Sequence, residues 1–297
     1  MSEPVFAAPV TVDGALAELA AGGALALAGG TSVALLLKNQ LTEPERLVYL
    51  GRVPDLAGVR RGNGQLRIGA TVTLRELASH PSVRAALPAL AEAAGQVGNP
   101  RIRAVATVGG TVIHGDSRQD LPPVLLAAGA SVRLASRRGT RELELGQFLR
   151  GFMETAIEPD ELLTDVLVPL DPAIRCRYTR FNPGSEDDYP TVTVAVSWRV
   201  RGDGAVSGVR VAVGGAAPAV FLAAEAAAVL EGAVPSPGLI ARAAAAAATA
   251  CSPSDDGRNS AGYKRAMVEV WVQRTMTALV AGQLPGWWGL FGGGAAE

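Results

Sequence analysis

Two glycine pairs, each followed by a stretch that suits a helix, constrain this chain more than any other feature. The first lies in LAGGTSVALLLK, residues 27–38, and the second in ATVGGTVIHGDSRQDLPP, residues 106–123. Paired glycines reach backbone conformations closed to other residues and let another group come close to the main chain. When a helix starts just after such a turn, its first N–H groups have no partner within the helix and face whatever lies ahead. That arrangement is an anion site suited to phosphate oxygens, and Thr31 and Ser32 add hydroxyl donors. Neither stretch is a P-loop or a GxGxxG fingerprint. One Gly-Gly-Thr-Ser turn is equally a plain junction between strand and helix. Two glycine turns about 80 residues apart instead suggest a cleft that grips one elongated, phosphate-bearing ligand from both sides. Asp120 is then expected to accept hydrogen bonds from hydroxyls or an amine of that ligand.

The chain has 297 residues, enough for two domains, and 48% of them are hydrophobic, enough for a sizeable core. Its 35 glycines exceed the usual share of about 7% without a collagen period, so they mark turns and close backbone approaches. Net charge is −1 and no basic stripe runs through the chain, which argues against a nucleic-acid partner. Two cysteines, Cys176 and Cys251, are too few for a Cys₄ zinc site or an iron–sulfur cluster and fit a reducing compartment. His80 and His114 are the only histidines, which excludes a His-rich metal site. MSEPVFAAPVTV lacks a charged n-region, and no run of 18 apolar residues suggests a membrane span. A cytoplasmic location is expected.

Residues 11–20 suit a capped amphipathic helix with Asp13 as candidate N-cap. Residues 23–30 suit a buried strand and turn, and 31–40 a helix capped by Thr31 or Ser32. Strands are expected at 46–53 and 65–73, a helix at 73–97 broken near Pro81 and Pro88, and a strand pair at 130–136 and 141–149. DELLTDVLVPL, 160–170, closes the first unit. Beyond it, 176–181 and 190–232 suggest three strands and a helix, with a hairpin at Gly202-Asp203-Gly204. Two further helices are expected at 238–250 and 259–282. Alternating parallel β–α units are not evident, which weighs against a simple NAD-binding Rossmann protein. The expected division is 1–174, 175–284 and a glycine-rich end at 285–297, where Trp287-Trp288 belongs either to a loose tail or to a docking segment.

Four stretches in order carry a resemblance: LAGGTSVALLLK, IGATVTLRELASHP (68–81), RIRAVATVGGTVIHGDSRQDLPPVLLAAGASVRL (101–134) and YTRFNPGSEDDYPTVTVAVSW (178–198). Together they resemble the FAD-binding medium subunits of molybdenum hydroxylases, a family that includes carbon monoxide dehydrogenase, bacterial xanthine dehydrogenases and nicotine or aldehyde dehydrogenases. The resemblance spans roughly residues 4–282. It implies an α+β fold with a two-subdomain FAD-binding domain of the PCMH type, followed by a smaller α+β domain of the CO dehydrogenase flavoprotein C-terminal type. It implies that FAD is held by Leu27, Ala28, Gly29, Gly30, Thr31, Ser32 and Val33 on one side, and by Thr107, Gly109, Gly110 and Thr111 on the other. Thr111 stands where the family usually has Asn. Asp120 matches the family's FAD-contacting carboxylate, and Arg118 departs from the ADPAAD pattern that GDSRQD replaces.

By the same resemblance, Arg180 takes the place of a basic residue near the flavin, commonly Lys. Tyr189 takes that of an aromatic against the isoalloxazine, and Leu163 that of a residue packing near the adenine or the ring. From the residues alone, Arg180 is equally a surface charge on a strand edge, and Tyr189 equally core packing. His114 is a candidate for covalent flavin attachment on chemistry, but the family binds FAD noncovalently. The implied function is an electron relay. A small partner with two [2Fe–2S] clusters and a large partner with the molybdenum cofactor, in a dimer of heterotrimers, deliver electrons through FAD to NAD, a quinone or oxygen. The alternatives are a stand-alone FAD-dependent oxidase or dehydrogenase and a nonenzymatic nucleotide-binding protein.

Overall fold

The computed structural model describes residues 3–185 and 187–282. The expectations for 285–297, including Trp287-Trp288, lie outside them. The chain begins with β1 (Val5–Ala7), α1 (Val12–Ala20), β2 (Ala24–Leu27), α2 (Thr31–Lys38) and β3 (Arg46–Tyr49). β3 is central and runs parallel to both neighbours. The structure thus contains one small parallel β–α–β–α–β unit, contrary to the sequence expectation. β2 and β3 fall within the strands expected at 23–30 and 46–53, but β1, three residues long, carries too little alternation to register, which hid the series. The cap of α1 is Thr11 rather than Asp13: the Gly14 N–H donates to Thr11 Oγ1 at 3.1 Å. Ala15, Leu16, Leu19, Val48 and Leu50 form a minor core with Leu56 and Leu162 of the next layer.

That layer comprises β4 (Val59–Gly62), β5 (Gln65–Gly69), α3 (Leu74–Ser79), α4 (Pro81–Ala86), α5 (Pro88–Gln96), α6 (Pro100–Val105), α7 (Val108–His114), α8 (Leu121–Ala127), β6 (Ser131–Ser136), β7 (Gly139–Glu144), α9 (Leu145–Phe148), β8 (Leu149–Gly151), β9 (Glu154–Thr155) and β10 (Leu162–Pro169). The main sheet is antiparallel in the order β4-β5-β10-β6-β7. β10 is central and, save Pro169, wholly buried. Proline at the first helical position starts α4, α5 and α6, where its missing N–H costs nothing. The helices bury Leu74, Leu90, Val112 and Leu125 against Leu66, Ile68 and Val166 of the sheet.

The third layer is β11 (Ile174–Phe181), β12 (Val192–Val200), β13 (Val206–Gly214), β14 (Phe221–Leu222), α10 (Ala224–Leu230), α11 (Pro237–Ala250) and α12 (Ala261–Val280). Its antiparallel sheet has four strands, one more than expected, because β14 is only two residues long. Alternation along β12 decides what each face meets. Val194, Val196 and Trp198 enter a core with Val268, Val272 and Met276 of α12. Ala195 joins the main core of the second layer, and the Ser197 hydroxyl donates to the Ala127 carbonyl at 2.6 Å. On α5, which packs on β11, burial pushes the Glu92 carboxyl up to about 7 against the pull of Arg177. Burial also raises the free thiols of Cys176 and Cys251, to about 12 and about 11, so both stay protonated and unreactive. Among the described residues, no helix is long and apolar enough to cross a membrane.

Candidate functional site

The two glycine motifs meet in space. A Cβ on Gly29 would lie 1.8 Å from the Val105 carbonyl oxygen, so glycine is obligatory where the first motif rests on the end of α6. Gly30 follows with φ +74° and serves as the N-cap of α2 without any side-chain cap. The expected caps, Thr31 and Ser32, instead lie inside the helix. The first intrahelical bond runs from the Ala34 N–H to the Gly30 carbonyl at 2.8 Å. The N–H groups of Thr31, Ser32 and Val33 find no acceptor among the described residues. They are unpaired donors on half-buried residues at the positive end of a helix dipole.

The second motif is built differently. Gly109 and Gly110 form no turn but sit in the first turn of α7, whose cap is Thr107. All four leading N–H groups are occupied: Val108 donates to Val72 O at 2.9 Å, Gly109 to Ala70 O at 2.9 Å, Gly110 to Thr107 Oγ1 at 3.1 Å and Thr111 to Thr107 O at 2.9 Å. This corrects the expectation of a second backbone cradle for phosphate. A Cβ on Gly109 would meet Ala70 Cβ at 2.7 Å, whereas one on Gly110 would meet only Thr107 Oγ1 at 3.0 Å. Gly109 is therefore a packing glycine, and Gly110 keeps a wall of the cleft low.

Between the motifs lies a cleft of about 580 Å³. Ala28, Gly29, Gly30, Thr31, Ser32, Val33, Thr107, Gly109, Gly110, Thr111, Asp120, Leu163, Arg180 and Tyr189 all line it. Leu27 does not; it ends β2 and accepts the Leu50 N–H at 2.8 Å through its carbonyl. Leu163 is fully buried in the central strand β10. His114 also lines the cleft, and burial lowers its pKa, so it is neutral near pH 7.

Asp120 is engaged within the protein through one carboxylate oxygen. Its Oδ1 accepts the Tyr178 hydroxyl at 2.6 Å and Arg180 Nε at 2.9 Å. Burial pushes the Asp120 carboxyl upward, and Arg180 and Tyr178 pull it back. Arg180 is no surface charge: its side chain is 5% exposed, and its Nη2 donates to the Asp188 carbonyl. Tyr178 escaped the sequence reading, although alternation along β11 puts it on the same face as Arg180. Another glycine pair, Gly214-Gly215, was also missed. The Gly215 N–H donates to the Ser117 carbonyl at 2.8 Å, and a Cβ on Gly214 would come within 2.7 Å of that oxygen. The loop carrying Asp120 is thus held by the sheet of the third layer. Arg118 turns back onto Asp116 and lies over the Tyr189 ring.

The residues present fit a dinucleotide flavin. The cleft offers three unpaired N–H groups and two hydroxyls at the start of α2, which suit a diphosphate, and its lining also includes Gly110, the apolar Leu163, the cationic Arg180 and the aromatic Tyr189. The family model described as the FAD binding domain in molybdopterin dehydrogenase matches residues 2–171, and that of the CO dehydrogenase flavoprotein C-terminal domain matches 178–279. The chain is 32% identical over 276 residues to the carbon monoxide dehydrogenase medium chain of Hydrogenophaga pseudoflava, covering 92% of this chain and 96% of that one. It is 34% identical over 250 residues to the nicotine 6-hydroxylase medium subunit of Paenarthrobacter nicotinovorans, covering 84% and 87%. A solved carbon monoxide dehydrogenase from Hydrogenophaga pseudoflava superposes with a TM-score of 0.91 at 33% identity, covering 94% of this chain and 98% of that one. Quinoline 2-oxidoreductase from Pseudomonas putida 86 superposes with a TM-score of 0.89 at 27% identity, covering 95% and 98%. By its residues and its fold alike, the chain belongs to the family of FAD-binding medium subunits of molybdopterin dehydrogenases.

Proposed function

We propose that the cleft holds FAD with its diphosphate on the N-terminus of α2 and its ring beside Leu163, Arg180 and Tyr189, and that the chain serves as the electron-transfer subunit of a molybdenum hydroxylase complex. The contrast between the two helix starts carries this reading. The first-turn N–H groups of α7 are occupied within the protein, and those of α2 are not. Charge-assisted hydrogen bonds from such groups hold phosphate oxygens strongly. Thr31 and Ser32 add hydroxyls, and Gly110 leaves room for the ligand to pass the start of α7.

FAD, when bound, supplies the capacity to take up two electrons and release them singly or together. The chain orients it and sets the field around it. Arg180 brings positive charge to the ring end, which favours electron uptake, but Asp120 at 2.9 Å offsets much of that charge. The field is therefore gentler than that of an unpaired cation. With two cysteines, the chain lacks the four thiolates an iron–sulfur cluster takes. Electrons then come from a partner carrying [2Fe–2S] clusters, fed by a large molybdenum-cofactor subunit that selects the substrate. They leave to an external acceptor such as NAD or a quinone.

The test is the visible spectrum of the purified chain, followed by heat release and identification of the ligand. Free FAD in the supernatant supports the reading and argues against covalent attachment at His114. A colourless chain that fails to bind FAD on titration overturns it.

A further inference from the structure

We propose that Asp116 and Arg118 form a brace that holds the Tyr189 ring at the mouth of the cleft, making Arg118 a positioning residue for the flavin ring; this rests on the FAD reading above. Asp116 is 3% exposed and receives three hydrogen bonds from Arg118. The backbone N–H and Nε reach Oδ1 at 2.9 and 3.1 Å, and Nη2 reaches Oδ2 at 2.8 Å. A guanidinium clamped in this way cannot swing. Its central carbon lies 5.0 Å from the centroid of the Tyr189 ring, inside the range of a cation–π contact.

Tyr189 needs such a support. It is 42% exposed and lines the cleft. Its backbone is held separately, by its N–H to Asp188 Oδ1 at 3.0 Å, while Arg180 and Arg258 grip Asp188. Those bonds place the Cα and leave the ring free to turn. Arg118 supplies the contact that fixes the ring plane, and it does so from the FAD-binding half onto a loop of the C-terminal half. Arg118 is not among the residues lining the cleft, so it acts on the cofactor through Tyr189.

The test uses FAD-loaded full-length protein and two readouts, the FAD dissociation constant and the quenching of flavin fluorescence by acrylamide, a neutral probe insensitive to loss of the arginine charge. Tyr189→Ala is expected to raise both. Arg118→Ala is expected to raise the dissociation constant about threefold to tenfold, the range of a half-buried cation–π contact, to raise the quenching in the same direction as Tyr189→Ala does, and to add nothing in a Tyr189→Ala background. Arg118→Lys keeps the charge without the planar fork and is expected to fall near the alanine variant, which also covers the case in which Arg118→Ala does not fold. If Tyr189→Ala changes both readouts and neither Arg118 variant does, the brace is wrong and the ring assignment stands. If Arg118→Ala and Tyr189→Ala add, Arg118 acts by another route and the brace is overturned. If Tyr189→Ala itself changes nothing, the ring end of the FAD reading fails.

Discussion

Arg180 Nε donates to Asp120 Oδ1 at 2.9 Å, with both side chains about 5% exposed. The pair joins the start of α8 to β11, and so the FAD-binding half to the C-terminal half. Removing one member of a buried pair strands the other charge and costs about 3–5 kcal/mol. Arg180→Met is expected to lower stability by that amount in urea unfolding. Asp120→Asn on top of Arg180→Met is expected to recover much of it, since no lone charge then remains. A loss below about 1 kcal/mol for the single variant shows that the pair is not a joint between the halves.

The two glycines of the second motif are expected to separate folding from binding. Gly109→Ala places a methyl 2.7 Å from Ala70 Cβ and is expected to cost about 1–3 kcal/mol by overpacking. Gly110→Ala meets only Thr107 Oγ1 and replaces a helical glycine, so stability is expected to hold or rise by about 1 kcal/mol. FAD affinity is expected to fall, because the methyl stands in the cleft. Urea melts and FAD titrations on both variants check this. Equal loss of FAD affinity with no change in either melt removes the distinction.

Ser32→Pro deletes one of the unpaired N–H groups at a helix position that tolerates proline. The fold is expected to survive. FAD is expected to bind at least roughly tenfold to a hundredfold more weakly, the value of one hydrogen bond to a charged group, since the Ser32 hydroxyl is lost with the N–H; Ser32→Ala, which removes the hydroxyl alone, isolates the part due to the N–H. An unchanged dissociation constant moves the diphosphate away from α2.

Glu92 predicts a pH dependence of stability. Its carboxyl titrates at 4.5 when exposed and about 7 in the folded chain, because burial disfavours the charged form. Between those values the folded state binds the extra proton. The contribution is complete below pH 4.5 and is lost as pH rises through about 7, by roughly 3 kcal/mol at most. Glu92→Gln is expected to be more stable than the parent at pH 8 and to show no such advantage at pH 5. Parallel urea melts at the two pH values measure it, and an equal difference at both pH values refutes the assignment.

What was legible followed from local chemistry. Pro81 and Pro88 marked helix breaks because proline both starts and stops helices, and Gly202-Asp203-Gly204 marked a hairpin because positive φ is needed there. The cleft was legible because the chemistry of the two glycine motifs and of Asp120 suits one phosphate-bearing ligand, although what they contact lies far off in sequence, Val105 from Gly29 and Arg180 from Asp120. The helical setting of Gly109 and Gly110 was not, since glycine is a poor helix former and only the contact with Ala70, distant in sequence, requires it. The role of Tyr178 was hidden for a related reason. Its partner Asp120 lies 58 residues away, and no local pattern announces such a meeting. The short strands β1, β4 and β14 carry too few residues for alternation to register.

The hold of Gly215 on Ser117, and of Tyr178 and Arg180 on Asp120, has a consequence for biosynthesis. A nascent chain that has delivered only its first 170 or so residues holds that loop through the Met153 N–H on the Gly115 carbonyl but lacks Tyr178, Arg180 and Gly215. Firm flavin capture is therefore expected to wait until Gly215 has been made, and a polypeptide that stops before β11 is expected to hold FAD weakly. Retention of FAD would then report that synthesis has passed Gly215.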